Sequence, residues 1–327
     1  MKIFTILSAV TCATLLSCSS SKTQEPVDEN LPTVFVTREI SPESLIRIYE
    51  ALGRKAEGKV AVKISTGEKG NPNHLKAELI GPFVQHVNGK LVECNTAYGG
   101  KRGTVEEHRE VIEEHGFNRI GGVDLMDEEG EFKIPVRDTT NIKFDLVGTH
   151  LKDYDFMVNL AHFKGHPMGG LGGVLKNQSI GVASANGKAY IHTAGYQDVV
   201  EGMWGHVDNQ DGFLESMAAA AQAVSDYFGN GERVLYISVL NNMTVDCDCV
   251  ATPEPVKLQD YGIMASLDPV ALDQACVDVI FNMEPSQGND PKPLQQRIKR
   301  QHGTHTIEWA EKIGMGSTKY NLVSIDK

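Results

Sequence analysis

Phe156-Met157-Val158-Asn159-Leu160-Ala161 runs directly into His162-Phe163-Lys164-Gly165-His166-Pro167-Met168-Gly169-Gly170-Leu171-Gly172-Gly173-Val174-Leu175-Lys176-Asn177-Gln178-Ser179-Ile180-Gly181-Val182-Ala183-Ser184, and the chain is organised around this junction. The first six residues form an apolar run that predicts a buried strand. Two histidines and two lysines then stand among six glycines. Glycine accepts positive φ and lets backbone approach a ligand closely. Imidazole and ammonium groups on such a loop, at the end of a strand, are what an anion or metal site requires. Met168, Leu171, Val174 and Leu175 give the loop apolar side chains to bury. Its backbone therefore needs internal hydrogen-bond partners.

Outward from this loop, strands and helices alternate. Strands are predicted over 59–65, 91–95, 122–125, 132–136, 233–241, 262–266 and 320–325. Helices are predicted over 73–87, 104–116, 211–228, 270–281, 293–302 and 306–313. Thr104 reads as an N-cap ahead of Glu106 and Glu107, and Asp268-Pro269 as a cap with proline in the first turn. This alternation predicts an α/β fold, layered around a mainly parallel sheet. In such sheets ligands sit beyond the carboxyl ends of the strands. Phe156–Ala161 and Val234–Leu240 are expected to be adjacent parallel strands, so the loops after them should share one edge.

Four constellations follow predicted strands. In the first, His162 and His166 are candidate metal ligands, although Gly165 and Pro167 exclude the helical His-x-x-x-His geometry that suits zinc. Lys164 and Asn177 are candidate substrate-binding residues, and Lys176 a candidate catalytic acid, base or anion partner. In the second, Asp246-Cys247-Asp248-Cys249 offers two thiolates one residue apart. They suit a soft metal such as zinc or iron, or an iron-sulfur cluster. The competing use is two disulfides, with Cys94 and Cys276. The third, Asn95 to Arg102, places Lys101 and Arg102 after a strand as candidate anion-binding residues. The fourth, Asp260 to Asp273, supplies Asp268 as a helix cap and Asp273 as a second candidate catalytic residue. The expected centre brings Cys247, Cys249, His162 and His166 onto one tetrahedral ion, with Asp246 and Asp248 orienting them.

The N-terminus carries its own signal. Met1-Lys2 precedes an apolar run from Ile3 to Leu16, followed by Ser17-Cys18-Ser19-Ser20-Ser21. A basic start, a short apolar core and small residues at the break describe an export signal. The run is too short for a permanent membrane helix. Leu15-Leu16-Ser17-Cys18 resembles a bacterial lipobox, with Cys18 as the lipidated residue. The expected organisation is a signal peptide over 1–17, a polar tether and lead-in over 18–55, and one α/β domain over 56–327. The expected location is the bacterial cell envelope, lipid-anchored, at the periplasm or the cell surface. The chain has 43 acidic against 31 basic residues, a net charge of −12. That balance argues against nucleic-acid partners and against a polybasic membrane patch.

Several segments together resemble the uncharacterised domain-of-unknown-function 362 family. They are Val60-Ala61-Val62-Lys63 with Gly67-Glu68, Asn95 to Arg102, His162 to Gly181, Cys247-Asp248-Cys249 and Asp260 to Asp273, with Gly314 to Val323 more weakly. Members are often described as iron-sulfur proteins and many carry an added ferredoxin-like segment, which this sequence does not hold. The family pattern has an aspartate near the position of Cys94, and the departure leaves Cys94 available for a disulfide. A fainter, single-motif similarity is to lactate racemase, through His162, Gly169, Gly170, Gly172, Gly173 and Lys176. The expectation is an envelope protein that binds a metal and acts on a small anionic substrate. The alternatives are an iron-sulfur electron-transfer protein and a disulfide-bonded binding lipoprotein without catalysis.

Overall fold

The computed structural model describes residues 28–327. The expected signal peptide, Cys18 and the first part of the expected tether lie outside the described residues.

Among the described residues twelve strands are present: β1 (Thr33–Thr37), β2 (Val60–Lys63), β3 (Gly89–Glu93), β4 (Val123–Leu125), β5 (Glu131–Pro135), β6 (Phe144–Gly148), β7 (Phe156–His162), β8 (Lys164–His166), β9 (Gly170–Gly172), β10 (Val234–Leu240), β11 (Gly262–Ser266) and β12 (Asn321–Ser324). The helices are α1 (Pro42–Ala51), α2 (Ala77–His86), α3 (Val105–Glu114), α4 (Val174–Gln178), α5 (Ala185–His192), α6 (Gln210–Tyr227), α7 (Pro269–Asn282), α8 (Lys292–Arg300) and α9 (His305–Lys312). Eight strands form one sheet in the order β12-β1-β11-β10-β7-β2-β3-β4. Within it β10, β7, β2, β3 and β4 all run parallel. The expected α/β architecture around a mainly parallel sheet is what the chain adopts. β7 and β10 are direct neighbours, with Met157 opposite Val234 and His162 opposite Val239.

Alternation along the central strands sends side chains to two cores. Phe156, Val158 and Leu160 join Leu235, Ile237 and Val239 on one face. Met157 and Ala161 join Tyr236 and the apolar face of α6 on the other. The second face carries two polar side chains in register, Lys63 on β2 opposite Asn159 on β7. A pleated strand with both faces covered reads as continuously apolar, so a lysine and an asparagine there need dedicated partners.

One expectation is corrected. The lead-in is not a tether throughout, because β1 and α1 fold within it and β1 pairs with both β11 and β12. Within the mainly parallel sheet β11 runs antiparallel to β10, with Gly262 opposite Leu240 and Ser266 opposite Tyr236. The turn after Ser266, with Asp268, therefore lies at the end of the sheet away from the loops that follow β7 and β10. Asp268 serves as the N-cap of α7, accepting from the backbone of Val270 and Ala271. Among the described residues, no helix is long and apolar enough to cross a membrane.

Candidate active site

The loops after β2, β3, β7 and β10 converge on a cavity of about 30 Å³, room for roughly two waters or a small anionic group. Its wall includes Lys63, Arg102, Lys164, Lys176 and Lys188 against the single carboxylate of Glu93, with Tyr98, His162, Asn177 and Cys249 between them. Behind this wall Lys164 pairs with Asp248 and Arg102 with Glu68 and Glu93, so Lys63, Lys176 and Lys188 are the wall cations without an ion pair among the described residues.

The glycine-rich loop is packed rather than loose. Its first part forms the small β8–β9 sheet, with Lys164 opposite Gly172. Gly165 donates its N–H to the Thr244 carbonyl at 2.8 Å. A Cβ there would come within 2.1 Å of the Val245 carbonyl oxygen, so no side chain fits. At Gly173 a Cβ would meet Asp273 Oδ1 at 2.1 Å. That space is taken because Asp273 binds the start of α4. Its two oxygens accept from the N–H groups of Val174 and Leu175 at 2.8 and 2.9 Å. Burial pushes the Asp273 carboxyl up to about 7, against the pull of those two N–H groups. Asp273 is therefore not presented to the cavity as a catalyst. It positions the helix that carries Lys176.

Lys176 reaches the cavity wall with no hydrogen-bond or ion-pair partner among the described residues. Asn177, next to it, is committed to the sheet. Its amide donates to Lys63 O at 3.1 Å and to Asn159 Oδ1 at 2.7 Å, and its own oxygen accepts from Lys63 Nζ at 3.2 Å. Lys63 is completely buried, and burial pulls its ammonium down to about 8 although Glu93 lies near.

Arg102 is only 1% exposed. Its Nη1 donates to Glu93 Oε1 at 3.2 Å and its Nε lies 3.6 Å from Glu68 Oε2. Glu93 also accepts from Thr66 and His108. Burial opposes its ionisation, but Arg102, His108 and Lys63 hold the carboxyl well below the usual range. Among the described residues, Nε and Nη2 of Arg102 make no conventional hydrogen bond, and the Glu68 carboxylate and the Cys249 sulfur are the negative groups beside them. A buried guanidinium edge without an acceptor costs free energy, and a bidentate oxyanion is its natural complement. Lys101, by contrast, turns to the surface and pairs with Glu107 at 2.7 Å. The expected pairing of Lys101 with a substrate is thereby corrected, because its ammonium does not reach the cavity.

The four expected metal ligands do not converge. His162 Nδ1 faces Asp248 Oδ1 at 3.0 Å and its Nε2 faces the Asn241 carbonyl at 2.6 Å. Both ring nitrogens are thus engaged by protein acceptors, and neither is turned to an ion. His166 accepts on Nδ1 from the N–H groups of Gly169 and Met168, at 2.8 and 3.3 Å. Its proton therefore sits on Nε2. Burial, with Lys176, His192 and Lys164 nearby, keeps this ring neutral far below its ordinary range. Asp248 does orient His162 as expected, and also accepts from Lys164 Nζ at 2.6 Å. Burial resists its ionisation, but His162 and Lys164 hold it far below the usual carboxylate range. Asp246 instead pairs with Arg297 at 3.0 Å.

All four cysteines of the described residues are free thiols. Cys94 donates to the Val182 carbonyl at 3.2 Å and Cys276 packs on Met264. Neither meets Cys247 or Cys249, so the disulfide alternative is not what the fold holds. Cys247 and Cys249 interact directly, the Cys249 N–H donating to the Cys247 sulfur at 3.3 Å. The Cys247 S–H stabilises a Cys249 thiolate first, burial opposes, and Lys176, Arg102 and Lys164 add their charge, which together pull its thiol well below the ordinary value. Cys247, bonded to that thiolate and buried, is pushed up correspondingly. Among the described residues, the one His/Cys/Asp/Glu group with ligand atoms within 4.8 Å of one another is Asp124, Glu128 and His150, a candidate metal-binding trio on the β4 side of the sheet. These side chains already engage one another and their neighbours. His150 lies 2.7 Å from Asp124, Glu128 pairs with Arg109, and Tyr154 donates to Asp124 at 2.6 Å.

Sequence reasoning missed Lys63, Glu93 and Lys188 as cavity residues. Lys63 did carry a signal, a charged residue closing an apolar run inside a central strand. Lys188 did not, since it sits on α5 and its Nζ is held by the Ala183 carbonyl at 2.6 Å.

The family described as Domain of unknown function (DUF362) matches residues 60–278. No curated protein matches the chain. Among solved structures, a Thermotoga maritima structural-genomics protein is 12% identical with a TM-score of 0.39, over 83% of this chain and 58% of that one. The lactate racemase apoprotein of Thermoanaerobacterium thermosaccharolyticum is 14% identical with a TM-score of 0.37, over 63% of this chain and 50% of that one. The chain thus spans between half and three-fifths of the length of these two proteins.

Proposed function

The chain belongs to the family described as Domain of unknown function (DUF362), and on that footing we propose that it is an enzyme of the bacterial cell envelope acting on a small organic anion. The observation that carries this reading is the buried Arg102 edge, whose Nε and Nη2 make no conventional hydrogen bond among the described residues, in a cavity also lined by Lys176. A carboxylate in that cavity would accept from the guanidinium and neutralise part of the surplus of cations. Cys249 supplies the reactive thiolate beside it, and Lys63, with its ammonium near 8, a group able to exchange a proton at neutral pH. Export and lipidation at Cys18 are supported by Leu15-Leu16-Ser17-Cys18.

Occupancy of the cavity is tested by protection. Acetate at millimolar concentration should slow iodoacetamide alkylation of Cys249 in the native chain. Alkylation at the same rate with and without acetate, or with any other small carboxylate, would remove the basis of the reading.

Metal binding is the second reading, favoured by the Asp124, Glu128 and His150 trio. Metal analysis of anaerobically purified protein, with a visible spectrum of the same sample, tests it. Metal that survives Cys247→Ser with Cys249→Ser but is lost in His150→Ala would place the ion at the trio. Colour lost with the cysteines would restore the iron-sulfur alternative, for which the described residues offer only this closely spaced pair.

A further inference from the structure

The described surface exposes few large apolar side chains, and three of them lie within nine residues of one loop: Tyr196 at 70%, Val199 at 48% and Trp204 at 53%. This loop is built, not slack. Gln197 accepts no role in solvent alone, since its N–H donates to Thr193 Oγ1 and its amide to the Val199 carbonyl. The Val200 N–H donates to Asn186. Met203 is fully buried in a small cluster with Ala97 and Ala189, on which Tyr98 and Val200 pack. The cluster ties the loop to the cavity, because Tyr98 is part of the cavity wall. The Trp204 ring centroid lies 6.1 Å from that of Tyr98, and Tyr196 stacks on His206 at 4.1 Å. An exposed indole held at a fixed place beside a charged cavity is an unusual expense of apolar surface on a soluble face.

We propose that Trp204 and Tyr98 form a stacking subsite beside the cavity, and that the substrate is a carboxylate attached to a ring that offers a face to the indole. The inference rests on the anion-binding reading of the cavity. The cavity holds little more than the charged head, so the rest of such a molecule lies outside it, and Tyr98 joins the cavity wall to the Trp204 ring, 6.1 Å away and tilted by 50°. Aromatic faces take flat rings by offset stacking, and take sugar rings through their C–H faces. The loop's own acids, Asp198 and Glu201, disfavour an anionic group on the shelf and so turn the carboxylate inward.

The test titrates the full chain and its Trp204→Ala variant with acetate, benzoate and glucuronate, by calorimetry and by quenching of tryptophan fluorescence. In the wild type, benzoate or glucuronate should bind roughly threefold to tenfold more tightly than acetate, and Trp204→Ala should remove that advantage. Trp204→Phe should keep most of it. An advantage for benzoate alone assigns an aryl ring and one for glucuronate alone a sugar ring; both uphold the subsite. Acetate binding with no ring advantage, or an advantage that survives Trp204→Ala, overturns it. So does Trp204-dependent binding to phosphatidylglycerol vesicles with no ring advantage, which would give the patch to a lipid surface. Failure of all three anions to bind would instead defeat the reading of the cavity itself.

Discussion

Lys164 Nζ and Asp248 Oδ2 lie 2.6 Å apart, both side chains almost fully buried, and their pairing ties the loop after β7 to the loop after β10. His162 completes the cluster on the other carboxylate oxygen. Two buried partners on one carboxylate fix where Cys249, the next residue, must sit.

Asp248→Asn should therefore destabilise the fold by about 3–5 kcal/mol, because two buried donors lose their charged partner. The Asp248 carboxyl is held below its unfolded value, so its contribution is present above about pH 4 and is lost as pH falls below that. Denaturant midpoints measured from pH 7 to pH 3 should fall more steeply for the wild type than for the variant. Parallel curves would show that the pair does not couple to folding.

Asp273 behaves in the opposite sense. Burial raises its folded value to about 7, above the ~3.9 of an exposed aspartate. The folded state holds the proton more tightly, so stability from this group is full below pH 4 and declines as pH rises toward 7. Asp273→Asn should flatten that decline. It should also weaken anion binding, since one of the two α4 N–H groups loses its acceptor and Lys176 shifts. A variant with unaltered pH dependence and unaltered binding would separate Asp273 from the site.

Thiol chemistry should single out one cysteine. At pH 7, iodoacetamide on the native chain should modify Cys249 well before Cys94 or Cys276, whose thiols burial pushes up. Peptide mass spectrometry reads the order. Equal labelling of all the cysteines would mean that Cys249 is not the thiolate.

Lipidation is checked by Cys18→Ala and fractionation of cells. The variant should leave the membrane pellet, and its retention there would show another anchor.

Much of the frame was legible in the chain. Phe156–Ala161 and Val234–Leu240 carry apolar residues on both faces, as covered parallel strands do, and their adjacency put the two loops on one edge. β1 was overlooked because its five residues follow a polar lead-in containing Pro26 and Pro32, and its partners β11 and β12 come more than 200 positions later. The direction of β11 was hidden for a related reason. Strand direction is fixed by the connection, and Gly262–Ser266 reads alike in either sense. The expected tetrahedral ion failed on a contact that no spacing reveals, the Asn241 carbonyl on His162 Nε2. The cation-lined cavity was half visible, in Arg102, Lys164 and Lys176, while Lys63 and Lys188 became part of it only through the packing of β2 and α5.

The most direct measurement is calorimetric titration of acetate into the wild-type chain and into Lys176→Ala, each at about 20 mM and about 200 mM salt. Lys176 makes no ion pair among the described residues, so its removal should leave the fold intact. Loss of one cation from the cavity should weaken acetate roughly tenfold at low salt, near 1.4 kcal/mol, with a smaller gap at high salt. Equal affinity in the two proteins at both salt concentrations would contradict an anion site at this cavity.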